Sequence, residues 1–297
     1  VLREGGTAAD AAVAVQAVLG LVEPQSSGLG GGAFMIYFDA RTGEVTAYDG
    51  REAAPAGATP DMFMGPGGKP LGYVEAILSG RATGVPGAVA MLGEVQKTHG
   101  KRPWASLFAD AERLANEGFI VSPRLAGMIA SPRVPQNAAP DVIAYFTKPD
   151  GTRYVAGDRL INTAYGKTLR MLAEGGADAL YEGPLAAAIT ARAQQAPLPG
   201  TLAVADLDRY RPRSAPALCR PYRVYRVCTA PPPSSGVALL QGLMMLEHTD
   251  IADRSPADPV AWVRLAEVER LMYADRDRYV GDEPFARTPI DGLLAPD

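Results

Sequence analysis

Hydrophobic residues recur along the first fifty positions with two different periods. Ala8, Ala9, Ala11, Ala12, Ala14 and Ala17 follow Thr7. They give a helix slim faces for close packing, and Asp10, three residues after Thr7, completes a capping-box start. Glu23-Pro24 ends that helix, because a residue before proline is pushed out of the helical region. A glycine cluster follows (Gly28, Gly30, Gly31, Gly32). The period then drops toward two, predicting a strand over 34–38, a turn over 39–43 and a return strand over 44–48.

The middle of the chain reads as helices with local start and stop signals. One runs over 86–99 and stops at Gly100; another runs over 103–117, with proline at its start and Gly118 past its end. A third covers 122–129. Pro-rich irregular chain spans 132–149. Asn162 caps a helix over 163–174, closed by Gly175-Gly176, and a further helix covers 184–195. Strands follow over 215–219 and 222–229. After the Pro231-Pro232-Pro233-Ser234-Ser235-Gly236 turn come a helix over 237–248, with Ser234 or Ser235 as its cap, and a long helix from Asp258-Pro259 to about Tyr273 or beyond. With no repeat and no clear linker, residues 1–297 read as one mixed α/β domain.

Composition narrows the function. At 297 residues a large core is within reach. Hydrophobic residues at 47% and charged ones at 21% are ordinary for a globular protein. A net charge of −4 lacks the basic footprint of a nucleic-acid binder. No apolar run reaches the roughly 18–20 residues a membrane-spanning helix needs. No signal peptide is visible, but Val1 to Gly6 looks like a helix end with its glycine stop, so an upstream segment is expected. The histidines, His99 and His248, lack ligand-spaced partners, so no metal is expected. Cys219 and Cys228 flank a hairpin. Pairing about a turn near Tyr222 and Arg223 would not set them directly opposite, so two unpaired thiols is the plainer expectation and a disulfide the alternative.

Few motifs carry chemistry. Gly28-Leu29-Gly30-Gly31-Gly32-Ala33 has the letters of a dinucleotide fingerprint in the wrong context. That motif follows a strand and opens a helix, whereas here a helix precedes and a strand follows. The glycines instead mark backbone bared for close approach, or a tight path through a packed interior. Residues 275–286 imitate a calcium loop, but position five is Tyr279 and position twelve is Ala286. A charged helix end with internal ion pairs is the better reading. Ser234 and Ser235 do not sit in a nucleophile elbow. Arg51 stands at the end of the return strand beside Glu52. It is either a surface ion pair with Asp49 or Glu52, or a fork for a carboxylate.

Five segments together are specific. They are 5–12 (Gly5-Gly6-Thr7-Ala8-Ala9-Asp10-Ala11-Ala12), 27–35 (Ser27 through the glycines to Met35), 49–55 (Asp49-Gly50-Arg51-Glu52-Ala53-Ala54-Pro55), 231–236, and 274–276 with 279–282. In this order, across nearly the whole chain, they resemble the large subunit of γ-glutamyltransferases (γ-glutamyltranspeptidases). The resemblance implies an α+β fold, the four-layer αββα sandwich of N-terminal-nucleophile hydrolases. It implies a precursor that cuts itself, freeing a Thr at the N-terminus of a small subunit. That Thr attacks the γ-glutamyl amide of glutathione or a similar compound, and water or an acceptor amino acid or peptide resolves the acyl-enzyme. Its own α-amine can serve as base, which needs neither histidine nor cofactor.

By the same resemblance Arg51 grips the glutamyl α-carboxylate, and the location is periplasmic or secreted. Catalytic residues are expected outside this chain. Val1 has no nucleophile, no Thr-Thr-His segment occurs, and Thr83 lies inside a loop. The chain reads as an incomplete large subunit, inactive without its small-subunit partner. Two alternatives share the scaffold: a cephalosporin or glutaryl acylase, and a non-catalytic binding protein.

Overall fold

The computed structural model describes residues 1–195 and 197–295. Its elements begin with α1 (Ala8–Val22), β1 (Ala33–Asp39), β2 (Glu44–Gly50), α2 (Tyr73–Ile77), α3 (Ala88–His99), α4 (Ala109–Glu117), β3 (Phe119–Ile120) and α5 (Pro123–Ala130). They continue with α6 (Pro140–Tyr145), β4 (Arg159–Leu160), α7 (Thr163–Gly175), α8 (Gly183–Ala193), α9 (Val204–Arg209), β5 (Arg213–Pro216), β6 (Leu218–Tyr222), β7 (Tyr225–Thr229), α10 (Gly236–Glu247), α11 (Pro259–Tyr279) and α12 (Ile290–Leu293). Contacts gather the chain into two compact units. Unit 1 comprises Val1–Ala33 and Gly50–Pro212, and unit 2 comprises Phe34–Asp49 and Arg213–Asp297.

Unit 1 is built on α1. Its start is the expected capping box: the Thr7 amide donates to Asp10 Oδ2 at 2.8 Å, and the Asp10 amide donates to Thr7 Oγ1 at 3.3 Å. Ala9, Val13, Ala17 and Leu21, four residues apart, form its buried stripe. Asp10 is itself 0% exposed. It also accepts from the Lys101 amide at 2.9 Å, the Arg102 amide at 3.3 Å and Gln96 Nε2 at 3.1 Å. Burial opposes its ionisation, but the hydrogen bonds from Thr7, Lys101 and Gln96 outweigh burial and hold its carboxyl below the ordinary value. Asp10 thereby ties the start of α1 to the end of α3.

The Asn162 cap recurs and Ser122 proves to be a second one, but Ser235, expected as a possible cap of α10, makes no side-chain cap bond. Ser122 accepts from the Leu125 amide and Asn162 from the Tyr165 amide. A core cluster of Leu21, Ala115, Phe119, Val121, Leu125, Ile129, Phe146 and Leu160 closes around the β3–β4 pair. The helix expected over 103–117 is divided into a 3-10 turn, Trp104–Leu107, and α4. The segment expected to be irregular, 132–149, contains α6.

Unit 2 holds most of a three-stranded sheet in the order β1-β2-β5, with Asp49 opposite Arg213 and Thr46 opposite Pro216. The strand expected over 215–219 is two strands. β5 pairs with β2, the chain turns at Ala217, and β6 pairs with β7. The hairpin turn is centred one residue later than expected, on Arg223 and Val224. Arg223 adopts a positive φ of 54° as the first central residue, and its amide donates to Glu247 Oε1 at 2.5 Å. A slip of one residue in the turn changes every cross-strand partner. In the observed register Cys219 faces Cys228, and they form a disulfide with Cα atoms 4.1 Å apart. The expectation of two unpaired thiols is therefore wrong.

α11 starts as read, with Asp258 accepting from the Val260 amide, and runs on to Tyr279. Its end carries the expected internal pair, Arg276 to Asp277 at 2.7 Å. No helix among the described residues is long and apolar enough to cross a membrane.

Candidate functional site

Three stretches of unit 1 meet at the start of α3. The first is the glycine cluster. Gln16 of α1 donates to the Gly28 carbonyl at 2.9 Å. The Gly31 carbonyl accepts from the amides of both Gly87 and Ala88, each at 3.0 Å, which answers two of the unpaired N–H groups at a helix start. Gly32 donates its amide to Glu52 Oε1 at 2.6 Å. A Cβ on Gly32 would lie 2.5 Å from Glu52 Oε2 and 2.9 Å from the Glu52 backbone nitrogen, so a side chain there would disturb the Glu52 bond. Gly28 and Gly30 have nothing within 4 Å of where a Cβ would be. They bare their backbone to an open groove of about 630 Å³, also lined by Gln16, Gln25 and Glu52. Both sequence readings of the cluster hold at different positions: Gly32 is the tight path, and Gly28 and Gly30 are the bared backbone.

The second stretch is 50–53. Gly50 passes so near α3 that a Cβ there would lie 2.6 Å from that of Met91. Ala53 and Val85 exchange two backbone bonds, at 3.3 and 2.8 Å. Glu52 holds Gly32, as above. Between these anchors sits Arg51, with an exposed side chain and a fixed backbone: its carbonyl accepts from Tyr210 Oη at 2.7 Å.

The third stretch is the tyrosine pair. The rings of Tyr181 and Tyr210 stack 5.9 Å apart at 9°. The Ala90 amide, in the first turn of α3, donates to Tyr181 Oη at 3.0 Å. Burial pushes the Tyr181 phenol well above its ordinary value, so it stays neutral. Sequence reading missed both tyrosines; the spacing of 159 residues between Tyr210 and Arg51 leaves no local signal.

Unit 2 gathers the other sequence motifs. Arg213 grips Asp49 Oδ2 with Nε at 3.2 Å and Nη2 at 2.8 Å, and reaches Asp282 at 3.2 Å. Burial alone would lower the Arg213 pKa, but the bonds to Asp49 and Asp282 outweigh it and secure the charge. Arg276 Nε donates to Ser235 Oγ at 3.1 Å, and Gln241 Nε2 donates to Asp275 Oδ2 at 2.6 Å. Segments 231–236 and 274–276 thus brace one another, and Ser235 serves structure. The Pro232–Pro233 peptide is cis. Thr83 lies within the chain after a 3-10 turn at Gly80–Ala82, with no free amine. Among the described residues no group of three or more His, Cys, Asp or Glu could hold a metal.

A family model for gamma-glutamyltranspeptidase matches residues 1–297. The chain is 38% identical over 300 residues to the glutathione hydrolase proenzyme of Bacillus subtilis, covering 100% of this chain and 50% of that protein. It therefore spans about half the length of the curated relatives it matches. It superposes on the crystal structure of Helicobacter pylori gamma-glutamyltranspeptidase with a TM-score of 0.92 and 32% identity, covering 100% of this chain and 84% of that one. A cephalosporin acylase from Bacillus halodurans is also similar, with a TM-score of 0.81 and 27% identity, covering 99% of this chain and 54% of that one. The expected α+β fold of N-terminal-nucleophile hydrolases is the fold these neighbours share. The chain belongs to the γ-glutamyltranspeptidase family.

Proposed function

We propose that the protein to which this chain belongs transfers or hydrolyses the γ-glutamyl group of glutathione and related compounds, and that Arg51 binds the glutamyl α-carboxylate. The observation carrying the reading is the combination at Arg51: an exposed residue whose backbone is pinned by Tyr210 and flanked by the Glu52–Gly32 bond. A planar fork held this way suits bidentate carboxylate recognition. Fixing the glutamyl end aligns the distant amide for attack. The nucleophile is the N-terminal Thr of a small subunit released by self-cleavage, and the two subunits act as an obligate heterodimer. An acceptor amino acid, peptide or water takes the glutamyl group. The word "proenzyme" in the name of the B. subtilis relative supports processing of this kind.

The second reading is a cephalosporin or glutaryl acylase, which the similarity to the B. halodurans enzyme favours. A glutaryl carboxylate could also use Arg51, so turnover must decide. The full-length protein should cleave a γ-glutamyl anilide faster than a glutaryl amide, and the opposite preference would sink the first reading. A gel of the purified full-length protein should show two subunits; a single uncut band, stable over days, would argue against processing.

Location in the periplasm or outside the cell is part of the same proposal. The Cys219–Cys228 disulfide supports it, since such bonds persist in oxidising compartments and are rare in the cytosol. Thiol labelling of protein taken directly from cells should find both cysteines blocked.

A further inference from the structure

We infer that Tyr210 is a positioning residue for substrate binding, acting through Arg51. The inference rests on the proposed role of Arg51. The direction of an arginine side chain depends first on the two peptide planes flanking its Cα. The plane that follows Arg51 contains the carbonyl held by Tyr210 Oη at 2.7 Å. One residue further on, the Glu52 carboxylate is fixed to the Gly32 amide at 2.6 Å, and Ala53 is paired with Val85. These bonds set the course of the backbone just beyond Arg51, and the Tyr210 hydroxyl addresses the Arg51 carbonyl directly.

The hydroxyl is held in turn. Its ring lies parallel to that of Tyr181, whose own oxygen is bound by the Ala90 amide at 3.0 Å. The pair is thus referenced to the rigid first turn of α3. Space for the phenol depends on Gly87, where a Cβ would lie 2.1 Å from Tyr210 Oη and 2.3 Å from the Gly50 carbonyl oxygen. Gly87 also donates its amide to Gly31. One helix start therefore locates the glycine cluster, the Arg51 segment and the phenol that orients it. A tyrosine that served only the fold would need no such register with the residue proposed to meet substrate.

The test is steady-state kinetics of the full-length protein with a γ-glutamyl anilide, comparing wild type, Tyr210→Phe, Arg51→Lys and the double variant. Phenylalanine keeps the ring stack and removes only the hydroxyl, and a melting curve confirms that each variant is folded. The Tyr210→Phe variant should raise KM roughly five- to tenfold, the loss expected for one hydrogen bond, with kcat changed less than about twofold. In the Arg51→Lys background the same change should add almost nothing to KM, because both act on one interaction. Independent effects that multiply in the double variant, or a fall in kcat with KM unchanged, would overturn the inference and leave Tyr210 a structural residue. If Arg51→Lys raises KM and Tyr210→Phe does not, only the role of Tyr210 falls. If Arg51→Lys leaves KM unchanged, the reading of Arg51 falls with it.

Discussion

Unit 1 and unit 2 treat their apolar residues differently. Unit 1 has a sealed core, in which Leu160, Leu169, Leu172, Leu202 and Leu207 are all 0% exposed, although side chains such as Leu2 and Tyr73 stay outside it. Unit 2 leaves many outside. Trp262 is 60% exposed and Phe285 89%, and α11 buries only Val268. What unit 2 has in abundance is polar and covalent ties: Arg213 between Asp49 and Asp282, Arg254 between Asp250 and Asp258, Gln241 to Asp275, and the disulfide. Unit 1 carries its own core and presents Arg51 from a stiff frame. Unit 2 is braced, and keeps side chains such as Trp262 and Phe285 exposed. The contacts described around Arg51, from Tyr210, Glu52–Gly32 and Ala53–Val85, all lie within unit 1.

That contrast can be broken by mutation, with hydrogen exchange resolved by peptide to report each unit separately. The largest expected effect is Asp10→Ala. It strips the partner from the Thr7, Lys101 and Arg102 amides and from Gln96, and should cost unit 1 about 4 kcal/mol. Leu172→Ala, a cavity in a sealed core, should cost unit 1 about 3 kcal/mol and leave protection of α11 unchanged. Removing the disulfide with Cys219→Ala and Cys228→Ala should cost unit 2 about 2–3 kcal/mol without loosening unit 1. Trp262→Ser should cost the least, within about 0.5 kcal/mol. Loss of protection in both units from any one of these changes would contradict the separation.

Acid sharpens the same comparison. The Asp10 and Asp206 carboxyls are each opposed by burial, but hydrogen bonds outweigh it and hold both below their ordinary values. Their folded pKa values are depressed, so their contribution is present above the unfolded value of about 4 and becomes complete once the unfolded carboxyl is fully ionised. It falls away as pH drops through the folded values. Unit 1 should keep its protection at pH 4.5 and lose it progressively at lower pH, and Asp10→Ala should flatten that dependence.

Helix starts were legible in the sequence because a cap is local chemistry. Thr7, Asn162 and Asp258 each accept the amide their position predicts, whereas Ser235, at the start of α10, makes no cap bond and accepts from Arg276 instead. The hairpin register was not, because it depends on a positive φ at Arg223, a residue type that does not announce one. The course of the chain at Ala217, from one sheet to another, had no marker either. The boundaries of the two units fall at Ala33, Gly50 and Pro212, within or beside strands, so no shift in composition signals them. Arg51 was visible as a charge at a strand end. What aims it was invisible, because Tyr210 is distant in sequence and meets it through a backbone carbonyl.

Anchoring of the glutamyl carboxylate by Arg51 is tested by the KM of the full-length Arg51→Lys protein for a γ-glutamyl anilide. Lysine keeps the charge but loses the fork. KM should rise by about tenfold to a hundredfold, with a melting curve showing that the variant is still folded. A KM equal to that of the wild type would show that Arg51 does not anchor the carboxylate.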